Sequence, residues 1–428
     1  MPIARPGICW TRSAPRLGNA SARSKTLLRR LLAYADKIFD LSAELGSLAD
    51  ARQKPEIPLG VFHRALLLLW LCRLPSLLAL EQTGRRGAGR RFLRHPMPCA
   101  DQIANISEGL DLDGLRDILG RLYQRLNRNK VLGAFRGHRL AVVDGHEINA
   151  SYHRHCPHCQ TRRITLNGQP RIQYYHRAVI LQLVGPDFRL LLDIELLGPH
   201  EDEGSAALRL IGRVLQAHPR AFDILLGDGL YPQARIFKLL RRHGKHAIAV
   251  LKDERRDVLA DARALFPARP CHTFARGKTT FRLWDVEQLT SWESFPEKVR
   301  VVRSLETTLR PQRVHGQHPD TERVTEWVWV TTLPAAEVSA ETIAVFGHER
   351  WRIENEGFNE LCNAWNADHY FHHHPVSITG LWLMLFIAHA LFHCFLRNIK
   401  PSRRRAMPVY LWAMVILAEY LAPLCSSA

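Results

Sequence analysis

The sequence predicts an α/β protein: a mixed β-sheet with helices on its faces, preceded by an all-helical region and interrupted by a β-rich insertion. Three observations predict it. Residues 26–135 carry helical periodicity almost throughout. From Gly137 the pattern changes to short apolar strands that alternate with amphipathic helices. Residues 258–340 then read as a run of hairpin-like strands.

The elements can be justified in order. Residues 1–35 hold seven Arg or Lys and no acid. They lack an apolar stretch followed by a small-residue cleavage site, so a secretory signal is not expected. A transit peptide shares that composition, but a flexible basic arm over residues 1–25, gripping phosphate, fits better. Within residues 26–135, Arg64–Cys72 is an apolar helix, and Leu77–Glu81 opens another with Ser76 as its cap. Gly84-Arg-Arg-Gly-Ala-Gly-Arg-Arg91 reads as a loop, suited to a phosphate backbone or to a solvated linker. Asp111–Leu126 is strongly helical with a basic outer face.

Strands follow at Arg139–Val143, Tyr175–Val184 and Phe188–Leu196, then a helix at Glu201–Gln216 with acids in its first turn, where they suit the dipole. A strand at Phe222–Leu226, a helix at Pro232–Arg242 and a strand at His246–Leu251 complete the series. This β-β-β-α-β-α-β order is that of a ribonuclease-H-like sheet, in which the first and fourth strands are central neighbours. The core is expected over residues 136–257 and 341–400, the insertion over 258–340, a DNA-binding helical region over 26–135, and a C-terminal helix over 401–428. Two late apolar stretches, Leu381–Leu396 and Tyr410–Leu421, are short for a membrane span and are expected as buried core helices.

Bulk properties narrow the function. A chain of 428 residues has room for two or three domains. A net charge of +18 and a pI near 9.9 attract polyanions, because neutralising phosphates releases counterions. Nine scattered cysteines, with only Cys156 and Cys159 close together, indicate a reducing compartment and not a disulfide framework.

Three acidic residues carry the candidate chemistry. Asp144 ends the strand Leu140-Ala-Val-Val-Asp144-Gly145, and Asp228 ends Phe222-Asp-Ile-Leu-Leu-Gly-Asp228-Gly-Leu-Tyr231. Glu354 lies in a helical stretch, Glu349-Arg-Trp-Arg-Ile-Glu354-Asn. Two strand-end aspartates and one helix glutamate, brought together, suit divalent metal ions and in-line attack on a phosphodiester. Each alone is weak, since turns favour Asp-Gly. Arg350 fits two roles: an i,i+4 ion pair with Glu354, or a phosphate contact beside a metal-bound Glu354. Glu356 is the fallback third carboxylate.

Together these residues resemble bacterial insertion-sequence transposases with an Asp-Asp-Glu triad, of the insertion-sequence-4-like group. The resemblance runs from about residue 60 to 400. Its anchors are Val143-Asp144-Gly145, Gly227-Asp228-Gly-Leu-Tyr231 followed by Val250-Leu-Lys252-Asp-Glu-Arg255, and Arg350-Trp-Arg-Ile-Glu354-Asn. The tail from Phe358-Asn-Glu-Leu361 through Trp365, His369, Phe371 and His374-Pro375 also matches. The resemblance implies that Asp144, Asp228 and Glu354 bind two Mg²⁺ (or Mn²⁺) ions, one activating water or a DNA 3′-hydroxyl and the other stabilising the leaving oxygen. It assigns DNA contacts to Arg350 and Lys252, and base stacking to Trp351 and Trp365, although buried packing is the favoured role for Trp351. It also implies a bacterial, nucleoid-associated cytoplasmic protein without a membrane partner, acting as a homodimer that synapses element ends before joining them to target DNA. Three positions depart from the group: Gly347 replaces a Tyr, Cys362 replaces a Lys, and Phe358 lies four residues past the Glu instead of three. Losing the Lys removes a phosphate clamp, so a decayed, DNA-binding copy is the alternative.

A second metal site is suggested by His153-Arg-His155-Cys156-Pro-His158-Cys159. Zinc on His153, His155, Cys156 and Cys159 competes here with a loop of reduced thiols. The histidines at 372–374 could join a metal site or form a solvated turn before Pro375. A structural zinc protein that binds nucleic acid without chemistry is the remaining rival.

Overall fold

A computed structural model of the chain describes residues 26–252, 256–311, 320–369 and 371–425. The expected basic arm, residues 1–25, and the anchor residues 253–255 lie outside them.

The N-terminal region is helical as expected. Leu27–Phe39 buries Leu27, Leu28, Leu31, Ala35 and Phe39 along one stripe. Its first amides donate to the carboxylate of Glu419 from helix Val409–Cys425, Leu27 N and Leu28 N each at 2.8 Å, which joins the first described helix to the last. Ser76 caps its helix by accepting from Ala79 N at 3.0 Å, and Asp111 caps Leu112–Arg128 by accepting from Gly114 N at 2.9 Å. The Gly-Arg stretch is not a loop. It forms a π-turn at Gly84–Ala88 that runs into the helix Gly89–Leu93, with the kink at Gly87 (φ +105°), where only glycine is unstrained.

Among the described residues the sheet has ten strands: β1 (Leu140–Ser151), β2 (Gln160–Leu166), β3 (Gln169–Val184), β4 (Arg189–Leu196), β5 (Ile224–Gly227), β6 (His246–Val250), β7 (His272–Arg276), β8 (Thr279–Leu289), β9 (Val299–Pro311) and β10 (Asp320–Thr331). β2 was not foreseen, because its exposed and polar sequence has no clean alternation. The order is β2-β3-β1-β5-β6-β10-β9-β8-β7, with β4 pairing with β3. β3 runs antiparallel to β1 and β4, while β1, β5 and β6 are mutually parallel. The helices Glu203–Ala217 and Ala234–Arg242 are the crossovers between β4 and β5 and between β5 and β6. Together β4-β3-β1-β5-β6 make the ribonuclease-H-like core. Its central strands are continuous apolar runs because both faces are covered: every residue of Leu140–Val143 and Ile224–Gly227 is buried.

The β-rich insertion extends this same sheet. β10 lies antiparallel to β6, with Trp329 opposite Val250, and β9, β8 and β7 follow outward. Buried Arg300 ties it together, donating to Asp285 at 2.6 and 2.8 Å and to Val338 O at 2.6 Å.

Helix Pro375–Arg397 is long and apolar enough to cross a membrane, but 94% of its apolar window is buried inside the protein. It packs against Leu59–Leu71, Leu112–Arg128 and β4, binding the helical region to the core. The second late stretch departs from expectation. Helix Val409–Cys425 buries Trp412, Ile416 and Tyr420 but leaves Val409, Tyr410, Met414 and Val415 exposed.

Candidate active site

The two aspartates meet because β1 and β5 are parallel neighbours in register. Val142 pairs with Leu226, so two residues further on Asp144 stands beside Asp228, just past the end of β5. Asp144 is only 9% exposed and accepts from Gly145 N at 2.9 Å. Asp228 accepts from Leu230 N at 2.8 Å, which turns the chain sharply after β5. Gly227 is required there, since a side chain would collide with Tyr231 packed over it.

Behind the aspartates lies a support that the sequence did not reveal. The Tyr231 hydroxyl donates to Glu203 Oε1 at 2.8 Å, and Arg177 Nη2 lies 2.6 Å from Glu203 Oε2. Burial, and then the charge of Glu203, pushes the Tyr231 phenol well above its ordinary value, so it stays a donor. The Glu203 carboxylate fills the space against Gly145, where any larger residue would strike it. In sequence Glu203 reads only as a helix N-terminal acid; its register opposite Gly145 is a tertiary fact.

Glu354 arrives on a π-turn. The helix Ala340–Glu349 leads through Arg350 into Ile353–Phe358, whose i→i+5 bonding holds one more residue per turn than an α-helix. Arg350, 5% exposed, donates to Glu354 Oε1 at 2.7 Å and lies 3.5 Å from Asp144 Oδ2. Two carboxylates, Asp144 and Glu354, therefore share one guanidinium. Burial raises Asp144 to about 7, the charges of Asp228 and Glu354 add to the rise, and Arg350 only partly opposes it.

Just beyond the π-turn, Glu360 pins this segment to the long core helix. His393 Nε2 lies 2.7 Å and His389 Nε2 3.4 Å from Glu360 Oε1, which also accepts from Trp365 Nε1 at 3.2 Å. Burial alone would raise Glu360, but the imidazoles of His389 and His393 beside it win and hold it well below the carboxylate range. A lowered folded value means stability that is complete above about pH 5 and is lost as pH falls further. Glu360→Gln is therefore expected to be less stable than wild type at neutral pH and to flatten the acid limb of a pH series of urea denaturations. An acid limb identical to that of wild type would refute this role for Glu360.

The donor set fits divalent metal. Asp144 and Glu354 meet one buried Arg with Asp228 beside Asp144, the ionised form of Asp144 is disfavoured, and all the donors are hard oxygens of the kind Mg²⁺ and Mn²⁺ take.

The other expected site residues separate. Lys252 sits against Gly229, next to Asp228, with its ammonium 5.9 Å from the Trp327 ring centroid. Trp351 is 39% exposed and meets Trp327 edge-on at 6.1 Å, so it is a surface aromatic and not the buried packing residue expected. Trp365 is the reverse: it is fully buried, covered by Arg73, His389 and Phe392, and no base can reach its faces. Arg350 points at carboxylates from a buried position and not toward solvent phosphate. Glu356, the fallback carboxylate, is engaged by Arg189 and by Arg352 Nε, the latter at 3.0 Å. Burial would raise it, but these two arginines hold it below its usual value.

Gly347 lies beneath the Trp329 indole, which leaves no room for a side chain. Cys362 Sγ lies 3.5 Å from His146 Nε2, and burial pushes its thiol up to about 11. Cys156 and Cys159 gather with His176 and His373, not with His153 and His155. Those two are exposed in the β1–β2 connection, with the His155 ring stacked on Tyr174 at 4.6 Å.

No curated protein matches the chain. The family described as transposase DDE domain matches residues 136–391, which runs from just before β1 into the long core helix and takes in Asp144, Asp228 and Glu354. That match covers more than half of the 428 residues, and the sheet order agrees with it: the chain belongs to the DDE transposases of insertion sequences.

Proposed function

We propose that this transposase cuts phosphodiester bonds at the ends of its mobile element and joins the freed 3′-hydroxyl to target DNA, with Asp144, Asp228 and Glu354 as the catalytic carboxylates. The observation that carries this reading is the convergence of Asp144, Asp228 and Glu354 around a buried position, where burial first and then the neighbouring carboxylates raise Asp144 to about 7 despite an adjacent Arg. These three residues would hold Mg²⁺ or Mn²⁺, which when bound supplies Lewis-acid activation of the attacking oxygen and stabilisation of the leaving one.

The chain's own groups supply the rest. Arg350 balances part of the negative charge and orients Glu354 through their 2.7 Å bond. Glu203, Tyr231 and Arg177 fix the loops behind the aspartates, so the carboxylates need little reorganisation. Lys252, Trp327 and Trp351 form a basic and aromatic rim beside Asp228 and Arg350, suited to phosphate contact and base stacking. Residues 26–135 and the arm at 1–25 would grip DNA through the net charge of +18, and two copies would pair the element ends in the cytoplasm.

The test is Mg²⁺-dependent nicking of DNA that carries the ends flanking this gene, with wild type compared with Asp228→Asn. Cutting by wild type and none by the variant is expected. If wild type binds the ends and never cuts them, the chain is a DNA-binding protein decayed from an active element.

A further inference from the structure

The base of the β2–β3 hairpin and the segment that leads into helix Pro375–Arg397 meet at four metal-ligating side chains: Cys156, Cys159, His176 and His373. Their ligand atoms all lie within 4.8 Å of one another. Cys156 Sγ and Cys159 Sγ are 3.9 Å apart, and His176 Nε2 is 3.5 and 3.6 Å from them. A tetrahedral zinc ion with ordinary bond lengths separates two sulfurs by about 3.8 Å and a sulfur from a nitrogen by about 3.5 Å. Three of the four ligands therefore already stand at zinc spacing. His373 Nε2 lies 2.7 Å from Cys159 Sγ, so its imidazole has to draw back by roughly an ångström or less to complete the tetrahedron.

The chemistry of the set is selective. Two thiolates and two imidazoles suit Zn²⁺ and disfavour Mg²⁺, which takes oxygen donors. Local structure also supports the site. Cys156 N donates to Cys159 Sγ at 3.3 Å, and Cys159 N donates to Cys156 O at 3.1 Å, which closes the Cys-Pro-His-Cys turn with both sulfurs inward. His176 is 1% exposed and Cys159 is buried, so these two ligands are shielded from bulk water, while Cys156 and His373 are half-buried.

We propose that Cys156, Cys159, His176 and His373 bind one structural Zn²⁺ ion. The ion clips the connection after β1, the strand that carries Asp144, to residues 371–374, which follow the Glu354 segment in the chain. It is separate from the triad in ligands and in metal preference, and it does not depend on whether this copy cuts DNA.

The test uses the full-length chain, kept reduced, stripped with a chelator and then titrated with Zn²⁺ alone or with Co²⁺ alone. Wild type is expected to take up about one tightly held Zn²⁺. One Co²⁺ should give the intense visible bands of a tetrahedral thiolate site. Zinc should also protect two thiols from a thiol reagent and raise the melting temperature. Cys156→Ser with Cys159→Ser should lose the ion and the bands. His373→Ala should weaken binding at least tenfold, while His155→Ala and Cys271→Ser leave it unchanged. The proposal is overturned if folded wild type binds no zinc, or if the double serine variant binds it as tightly. It is also overturned if His155→Ala, and not His373→Ala, removes the ion, since the ligands would then come from the turn alone.

Discussion

Asp144→Asn is expected to raise the stability of the metal-free protein at neutral pH while abolishing its cleavage of DNA. The two effects have one cause. Folding places Asp144 in a buried site beside Asp228 and Glu354, and this raises it from 3.8 to about 7. For an acid, a folded value above the unfolded one means that ionisation favours the unfolded chain. Wild-type stability contributed by this group is therefore complete below about pH 4 and is lost as pH rises through about 7. The cost at neutral pH is at most about 4 kcal/mol, the whole difference converted at 1.4 kcal/mol for each tenfold change.

Asparagine keeps the acceptor for Gly145 N and removes the charge, so the variant lacks that pH limb. Thermal melts from pH 4 to 8 should show the two proteins converging at the acid end and the variant melting higher at pH 7. Added Mg²⁺ should then raise the wild-type melting temperature and barely move the variant's, since the ion stabilises only the state that binds it. Cleavage should fall by about a thousandfold or more, on the order of 4 kcal/mol of transition-state stabilisation. A variant that melts lower than wild type at pH 7 would show that burial beside the other carboxylates does not disfavour the ionised Asp144. One that cuts at the wild-type rate would remove Asp144 from the chemistry.

Restoring the group's tyrosine, Gly347→Tyr, should destabilise the protein severely instead of repairing the signature. Gly347 lies against Trp329, which is 1% exposed and fixed between Trp327 and His348. Even a Cβ collides with that indole, so a phenol must either displace Trp329 or unwind the helix Ala340–Glu349 that leads to Glu354. Overpacking of this kind costs about 3 kcal/mol or more. Trp329→Ala alone should cost about 3–5 kcal/mol through the cavity it leaves. The double variant should be more stable than the sum of the two by at least about 1 kcal/mol, because the phenol then has a space to enter. Urea denaturation of the four proteins measures this coupling. A single Gly347→Tyr variant within about 0.5 kcal/mol of wild type would contradict the packing account.

Local sequence carried much of the architecture. Apolar runs ending in a single acid fixed the strands of Asp144 and Asp228, since a buried parallel strand must be apolar until it leaves the sheet. Ser76 and Asp111 marked helix starts, because a side-chain acceptor one residue before the helix satisfies an otherwise free amide. The Gly-Arg stretch was misread because glycine signals a turn locally, whereas packing against Met97 and the C-terminal helix carries a kinked helix through it. The two tryptophans exchanged environments for a related reason: a period cannot tell which side of a helix another helix will cover. Trp365 faces the long core helix, and Trp351 faces outward beside Trp327.

By itself, the sequence determined the family, the mixed sheet and the three catalytic candidates, because each rests on residues adjacent in the chain. The tertiary structure alone decided which groups meet across it. Parallel pairing of β1 with β5 set Asp144 beside Asp228, and the π-turn carried Glu354 and Arg350 to them. Folding placed Glu203 against Gly145 and exchanged His153 and His155 for His176 and His373 around the two cysteines. Periodicity tells which face of an element is buried, but the partner on that face comes from a segment tens or hundreds of residues away, and only packing selects it.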